Sequence, residues 1–194
     1  MINLRYPLIL ASNSPRRQQI LREAGFEFTI RTLSVNEDFP ESMKVVEVPA
    51  YLARKKAEGL LYLSMKNIIL SADTIVVCND RILGKPESPR EAIEMLTLLS
   101  GKSHRVYTGV CIAFKNQCKT IVEKTEVKFK DLNSSEIDYY IKHFAPMDKA
   151  GAYGIQEWIG LIGITGITGS YLNVVGLPVA QVYNTMQELN LITG

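Results

Sequence analysis

The stretch Leu8-Ile9-Leu10-Ala11-Ser12-Asn13-Ser14-Pro15-Arg16-Arg17 (LILASNSPRR, 8–17) decides the class of fold. Its apolar first half, from Pro7 to Ala11, has the length and composition of a short buried strand. Its second half starts a helix. Ser14 stands in the N-cap position, Pro15 at the first helical position and Gly25 just past the expected end. A strand that turns directly into a helix is the building unit of α/β architecture. The junction also carries chemistry: a helix N-terminus presents unpaired N–H groups and the positive end of a dipole. Two hydroxyls and two guanidinium groups on the same turn add donors suited to phosphate oxygens. The plainer alternative is that Ser14 only caps, with Arg16 and Arg17 solvated.

Working outward, the alternation of Phe26, Phe28 and Ile30 predicts a half-buried strand, and the polar, acidic run from Leu33 to Lys44 a loop. Apolar residues recur at helical spacing from about Val48 to Leu63. Ile68–Ala72 reads as a buried strand delivering Asp73-Thr74 at its end, with Ile75–Cys78 continuing extended and Asn79-Asp80 turning. Gly84-Lys85-Pro86 makes a tight loop before a helix capped by Ser88, opened by Pro89 and stopped by Gly101. His104–Phe114 and Thr120–Phe129 form a hairpin around Asn116-Gln117. Asn133 with Glu136 is a capping-box start for a helix to about Phe144, Pro146–Gly154 is loop-like, and Pro178 opens a last helix to about Asn190. Gly160, Gly163, Gly166 and Gly169 recur every third residue without the prolines of a collagen helix, so they predict a flexible, closely packed loop. The class is α/β with a mixed sheet, in one domain over 1–194.

Composition bounds the function. A chain of 194 residues, 46% hydrophobic and 22% charged, suits one domain or one two-lobed domain and excludes disorder, fibre and coiled coil. With 22 Lys and Arg against 20 Asp and Glu the formal net charge is +2, so no long-range field draws nucleic acid or an anionic membrane. Neither is expected as a partner; any phosphate must be bound by a local cluster. Cys78, Cys111 and Cys118 form no C-x-x-C pair, which argues against a disulfide framework or thiolate metal site and for a reducing, cytoplasmic location. The short apolar run at the start does not read as a signal peptide. Trp158–Gln187 lacks charge, yet its glycines, Pro178, Asn173 and Asn184 disfavour a membrane-spanning helix and suggest a turn-rich core.

Several side chains could carry chemistry. Asp73-Thr74 lies where open α/β sheets place ligands, and an aspartate there can hold a divalent cation or accept a proton from water; an Asx turn is the alternative. Glu37, with Asp38 and Glu41, is a surface loop unless folding brings Glu37 to Asp73. Lys56 lies in a helical LARKKA run, and Lys85 in the constrained Gly-Lys-Pro loop could meet a phosphate. His104 reads as structural, with no paired nucleophile. In Asp148–Gln156 (DKAGAYGIQ), glycines around an aromatic permit close approach to a flat ligand, and Gln156 has the donor and acceptor to read a base edge. No P-loop or G-x-G-x-x-G occurs, so kinases and dehydrogenases have no anchor.

Taken together, LILASNSPRR, LARKKA, SADTIVV, GKP, GKSHRVYTGV, DKAGAYGIQ and GSYLNVVGLP resemble the Maf family of nucleoside triphosphate pyrophosphatases, in order from Leu8 to Pro178. The resemblance implies a two-lobed α/β fold similar to the inosine triphosphatase group, with a long twisted mixed sheet and a central cleft. It implies hydrolysis of a nucleoside triphosphate to monophosphate and pyrophosphate with a divalent cation, magnesium or manganese. It also implies a homodimer, as family members often are, and a link to septum formation. By the same resemblance Ser12, Arg16 and Arg17 bind phosphate and Asp73 is the proton acceptor. Glu37, Lys56 and Lys85 surround metal and phosphates, with Glu37 and Asp73 the metal ligands. Arg16, Thr74 and Gln156 match the branch acting on dTTP and UTP, with modified pyrimidine triphosphates as further substrates. The Gly-spaced run after Gln156, EWIGLIGITGIT, departs from the family pattern and puts the local geometry beside the base in question. A nucleotide-sensing inhibitor of septation is the alternative from another class, and a nucleic-acid-binding domain a weaker third. The pairing of Glu37 with Asp73 favours the enzyme, because a pure sensor has little use for a metal site and a base.

Overall fold

A computed structural model describes residues 2–193. Its elements are β1 (Leu8–Leu10), α1 (Pro15–Glu23), β2 (Thr29–Ile30), α2 (Val48–Glu58), β3 (Ile68–Cys78), β4 (Arg81–Leu83), α3 (Pro89–Leu99), β5 (Ser103–Phe114), β6 (Gln117–Phe129), α4 (Ser134–Phe144), α5 (Trp158–Gly163), β7 (Ile164–Thr168), α6 (Tyr171–Val175) and α7 (Val179–Glu188). The strands form a seven-stranded mixed sheet of order β2-β1-β3-β5-β6-β7, with β4 paired to β3. β1 runs parallel to β2 and β3, while β4 and β7 are antiparallel to their neighbours. The α/β class with a mixed sheet is therefore what the chain adopts. Two compact units divide it: Met1–Asp73 with Thr108–Glu123 and Gly176–Gly194, and Thr74–Tyr107 with Lys124–Val175.

The first unit is built on parallel pairing of β1 with β3, Leu8 to Leu10 opposite Ile68 to Leu70, continued by the Ala11 amide donating to the Leu70 carbonyl. Both strands are buried, as parallel strands covered on two faces must be. Ser14 caps α1, its hydroxyl accepting from the Arg17 amide at 3.5 Å, and Gly25 follows the helix at φ 82. Helix α2 lies against the sheet through Ala53 and Ala57, which join Ile9, Ile69 and Cys111 in one apolar cluster. Gly109 on β5 is what admits it. A Cβ at that position would sit 2.2 Å from the Ala50 nitrogen and the Pro49 carbonyl carbon.

In the second unit the Asn79-Asp80 turn, both residues left-handed, pairs β4 with the last residues of β3. Helix α3 buries Ala92, Met95, Leu96 and Leu99, and α4 buries Ile137 and Tyr140 behind a complete Asn133/Glu136 capping box. His104, on β5, is 2% exposed. It stacks on Phe129 and meets the edge of Tyr153, whose hydroxyl is 2.8 Å from its Nε2. The three cysteines are unpaired, Cys78 and Cys111 buried.

Four expectations need correction. The strand inferred from Phe26, Phe28 and Ile30 shrinks to Thr29–Ile30, both exposed, because only Phe26 of the alternating trio is fully buried. The helix over 48–63 stops at Glu58, and a separate 3₁₀ turn covers Leu61–Leu63. The hairpin turns at Lys115-Asn116, both with positive φ, and β6 already starts at Gln117. Ser64 selects that register, accepting from both turn amides at 2.9 and 3.0 Å through its carbonyl and hydroxyl. The Gly-spaced run is not a flexible loop but α5 followed by β7, which pairs with Glu126–Phe129 of β6. Among the described residues no helix is long and apolar enough to cross a membrane.

Candidate functional site

The chemistry gathers in the first unit, where periodicity on two elements meets one hydrogen bond. Residues two apart on a strand share a face, and residues three apart on a helix do too. Ser71 and Asp73 therefore point the same way from β3, as do Ala53 and Lys56 from α2. The Ser71 hydroxyl donates to the Ala53 carbonyl at 2.5 Å and fixes helix against strand. One turn on, Lys56 Nζ reaches Asp73 Oδ1, also at 2.5 Å. Asp73 is not at the end of its strand, as the sequence suggests, but in the middle of the eleven-residue β3. The placement still works, because β1 pairs with β3 only as far as Leu70 and β4 only from Val76, so Asp73 lies in the gap between the two pairings.

Lys56 holds a second carboxylate. Its Nζ lies 2.8 Å from Glu37 Oε1, so Glu37 and Asp73, 36 positions apart in sequence, face one ammonium. The loop that brings Glu37 there is tied down locally: the Asp38 amide donates to Asn36 Oδ1 at 2.8 Å, and Lys55 Nζ to the Asp38 carbonyl at 3.2 Å. The two pairs differ in weight. The Lys56 and Asp73 side chains are 17% and 12% exposed, so removing either leaves a largely buried charge, whereas Glu37 is 51% exposed and screened by water.

Arg17 closes the constellation from α1. Its Nε donates to the Gly176 carbonyl and its Nη1 to that of Ala72, each at 2.8 Å, with Ser12 Oγ at 3.3 Å. Ser12 also accepts from the Ser14 amide at 3.2 Å. Arg17 thus pins the start of α1 to the residue before Asp73, in addition to the phosphate role the sequence suggests. Gly176, at φ 127, adopts a backbone few other residues tolerate. Burial lowers the Arg17 pKa, Asp73 opposes that and Arg16 adds to it, yet a guanidinium keeps its proton throughout. Arg16 is half-buried on the same turn.

Could this site hold a divalent cation? Glu37 Oε1 and Asp73 Oδ1 both face Lys56 Nζ, so they lie no farther apart than the sum of their two distances to it. Both are hard oxygen donors, and magnesium is commonly held by one or two carboxylates with phosphates and water completing the shell. The donor set fits. Among the described residues no group of three or more His, Cys, Asp and Glu gathers.

The remaining expected residues belong to the second unit. Thr74 follows Asp73 half-buried, Lys85 is exposed in the loop after β4, and Gln156 is exposed in the turn before α5. The Gly151 amide donates to the Gly84 carbonyl at 2.9 Å, joining the Lys85 loop to the segment that leads to Gln156. Sequence reading missed Tyr140 and Glu157, and gave Lys149 no role of its own within that segment; Tyr140 and Lys149 both meet the Glu157 carboxylate. Tyr140 reads as one more apolar residue on a helix face, and only its hydroxyl marks it out.

Comparison with known proteins gives three findings. The family model described as Maf-like protein matches residues 7–189. Relatives named dTTP/UTP pyrophosphatase include those of Bacteroides fragilis, 45% identical over 95% of this chain and 97% of the relative, and of Bacteroides thetaiotaomicron, 43% identical over the same shares. That of Christiangramia forsetii is 45% identical over 95% and 94%. Among solved structures, a Staphylococcus aureus Ham1 protein aligns with TM-score 0.51 and 14% identity over 93% of this chain and 99% of its own. A Coxiella burnetii HAM1 protein gives 0.50 and 13% over 94% and 99%. Those structures share the fold.

Proposed function

The chain belongs to the Maf family, and from that membership we propose that it hydrolyses dTTP and UTP to the monophosphate and pyrophosphate. The observation that carries the chemistry is the Lys56 ammonium between Glu37 and Asp73, beside the capped start of α1. A triphosphate brings several negative charges to a protein of net charge +2, so its binding depends on local cations. Ser12, Arg16, Arg17 and the first amides of α1 supply donors for phosphate oxygens, and Lys56 and Lys85 supply positive charge. Glu37 and Asp73 would hold a magnesium or manganese ion, which supplies Lewis acidity and charge neutralisation when bound.

In the reaction a water oxygen bonds to the α-phosphorus as the bond from that phosphorus to the bridging oxygen breaks. The electron pair leaves on pyrophosphate, and Asp73 takes the proton of the attacking water. Most of the acceleration comes from positioning and from neutralising the phosphates, as in phosphoryl transfer generally. Arg16, Thr74 and Gln156 select the pyrimidine, Gln156 offering both a donor and an acceptor to the base edge. The unpaired cysteines support a reducing, cytoplasmic setting. The test is a panel of triphosphates with pyrophosphate detection, run with magnesium, with manganese and with chelator. The reading expects dTTP and UTP to be preferred and chelation to abolish release. Turnover unaffected by chelator would reject the metal assignment, and equal rates on all bases would reject the specificity.

A further inference from the structure

Gln156 sits in a turn that the second unit holds unusually firmly. The Glu157 amide donates to the Gly154 carbonyl at 3.0 Å and closes the turn, leaving Gln156 exposed between buried Ile155 and half-buried Glu157. Tyr140, fully buried on α4, grips the turn from below. Its hydroxyl accepts from the Gly154 amide at 3.0 Å and donates to Glu157 Oε2. The other oxygen of Glu157 meets Lys149 Nζ at 3.0 Å, and Lys149 in turn pairs with Asp148 at 2.6 Å. Burial and the Glu157 contact both raise the Tyr140 pKa, so the hydroxyl keeps the proton it donates.

Two glycines make this fit. A Cβ on Gly154 would stand 2.7 Å from the Glu157 carboxyl carbon, so only glycine lets that side chain fold back under the turn. A Cβ on Gly160 would stand 2.1 Å from the Ile155 carbonyl oxygen, so the first residues of α5 press directly on the backbone beside Gln156. This gives a role to part of the Gly-spaced run that departs from the family pattern.

We propose that Tyr140 and Glu157 are positioning residues for base selection: through Gly154 they fix the turn that presents Gln156 to the pyrimidine. The inference rests on Gln156 reading the base. Loosening the turn leaves the phosphate-binding residues in place and blurs the aim of one amide, so the loss falls on discrimination between bases. The contribution of one hydrogen bond implies a reduction of about three- to tenfold in the relevant ratios of kcat/KM.

The experiment measures kcat/KM for UTP, CTP and GTP in Tyr140→Phe, Gly154→Ala, Gln156→Ala and the Tyr140→Phe/Gln156→Ala double variant. Inhibition by inorganic tripolyphosphate, which has no base, and the thermal midpoint are followed alongside. We expect Tyr140→Phe and Gly154→Ala to lower the UTP:CTP and UTP:GTP ratios about three- to tenfold with tripolyphosphate inhibition unchanged. In the double variant the ratios should equal those of Gln156→Ala alone. If Gln156→Ala shifts the ratios while Tyr140→Phe and Gly154→Ala do not, the positioning role is overturned and the base-reading role of Gln156 stands. If Gln156→Ala itself leaves them unchanged, that base-reading role falls first. Should Tyr140→Phe lose its thermal transition, Gly154→Ala decides between the same outcomes.

Discussion

Acidifying the protein should destabilise it through His104, by an amount the structure sets. The imidazole is 2% exposed, packed between Phe129 and Tyr153, and among the described residues its Nδ1 has no hydrogen-bond partner. Burial opposes its charged form and lowers its pKa from 6.5 to about 4. In the unfolded chain the same group takes up a proton below about pH 6.5, so between those values the unfolded state binds more protons. Stability then rises with pH across the window and is lost as pH falls from about 6.5 to about 4. At about 1.4 kcal/mol per unit, the full contribution is about 3 kcal/mol, a large part of the 5–15 kcal/mol typical of a domain. Urea denaturation at intervals from pH 7 to pH 4, on the protein and on His104→Gln, isolates it. The variant keeps a polar partner for Tyr153 but cannot titrate there, so the stability difference between the two proteins should change by about 3 kcal/mol over the window. Parallel profiles, or an imidazole midpoint near 6.5 by NMR, would refute the reasoning.

Gly109→Ala should destabilise the protein by at least about 1–3 kcal/mol in denaturant titration, because its Cβ meets the backbone of Pro49 and Ala50 and no side chain can yield. Turnover should fall as well, since displacing α2 moves Lys56 from Asp73; an active, fully stable variant would show that α2 can shift freely. Asn133→Ala, which removes the capping box of α4, should cost about 1 kcal/mol in the same titration, and a change below a few tenths would deny the cap its role.

Helix starts were the most readable part of this chain. Ser14-Pro15, Ser88-Pro89 and Asn133 with Glu136 each combine a capping side chain with a residue suited to the first turn, and each marks a helix within a residue or so. Strand ends were less readable, because pairing partners decide them. Asp73 looks like a terminus after Ile68–Ala72, but β3 runs through it to pair with β4 at Val76–Cys78. The hairpin turn slipped because Ser64, 52 positions from Asn116, satisfies its amides. In the candidate site, residue types and position pointed to Ser12, Arg16, Arg17, Asp73 with Thr74, Lys85 and Gln156, while Glu37 and Lys56 read as surface residues until family resemblance gave them roles. What the sequence hid was the fixing of parts: the Ser71–Ala53 bond, the anchoring of Arg17 on two carbonyls and the clamp of Tyr140 on Gly154. Such contacts join residues far apart in sequence and leave no local pattern.

The central claim is that Asp73, held by Lys56, serves as the base in splitting a triphosphate. Pyrophosphate release from UTP and magnesium by Asp73→Asn tests it most directly, with a thermal melt on the same sample. Asparagine keeps an oxygen for the Lys56 ammonium, so the fold should persist while turnover falls by about two to four orders of magnitude. A folded variant that releases pyrophosphate at close to the native rate would contradict the account.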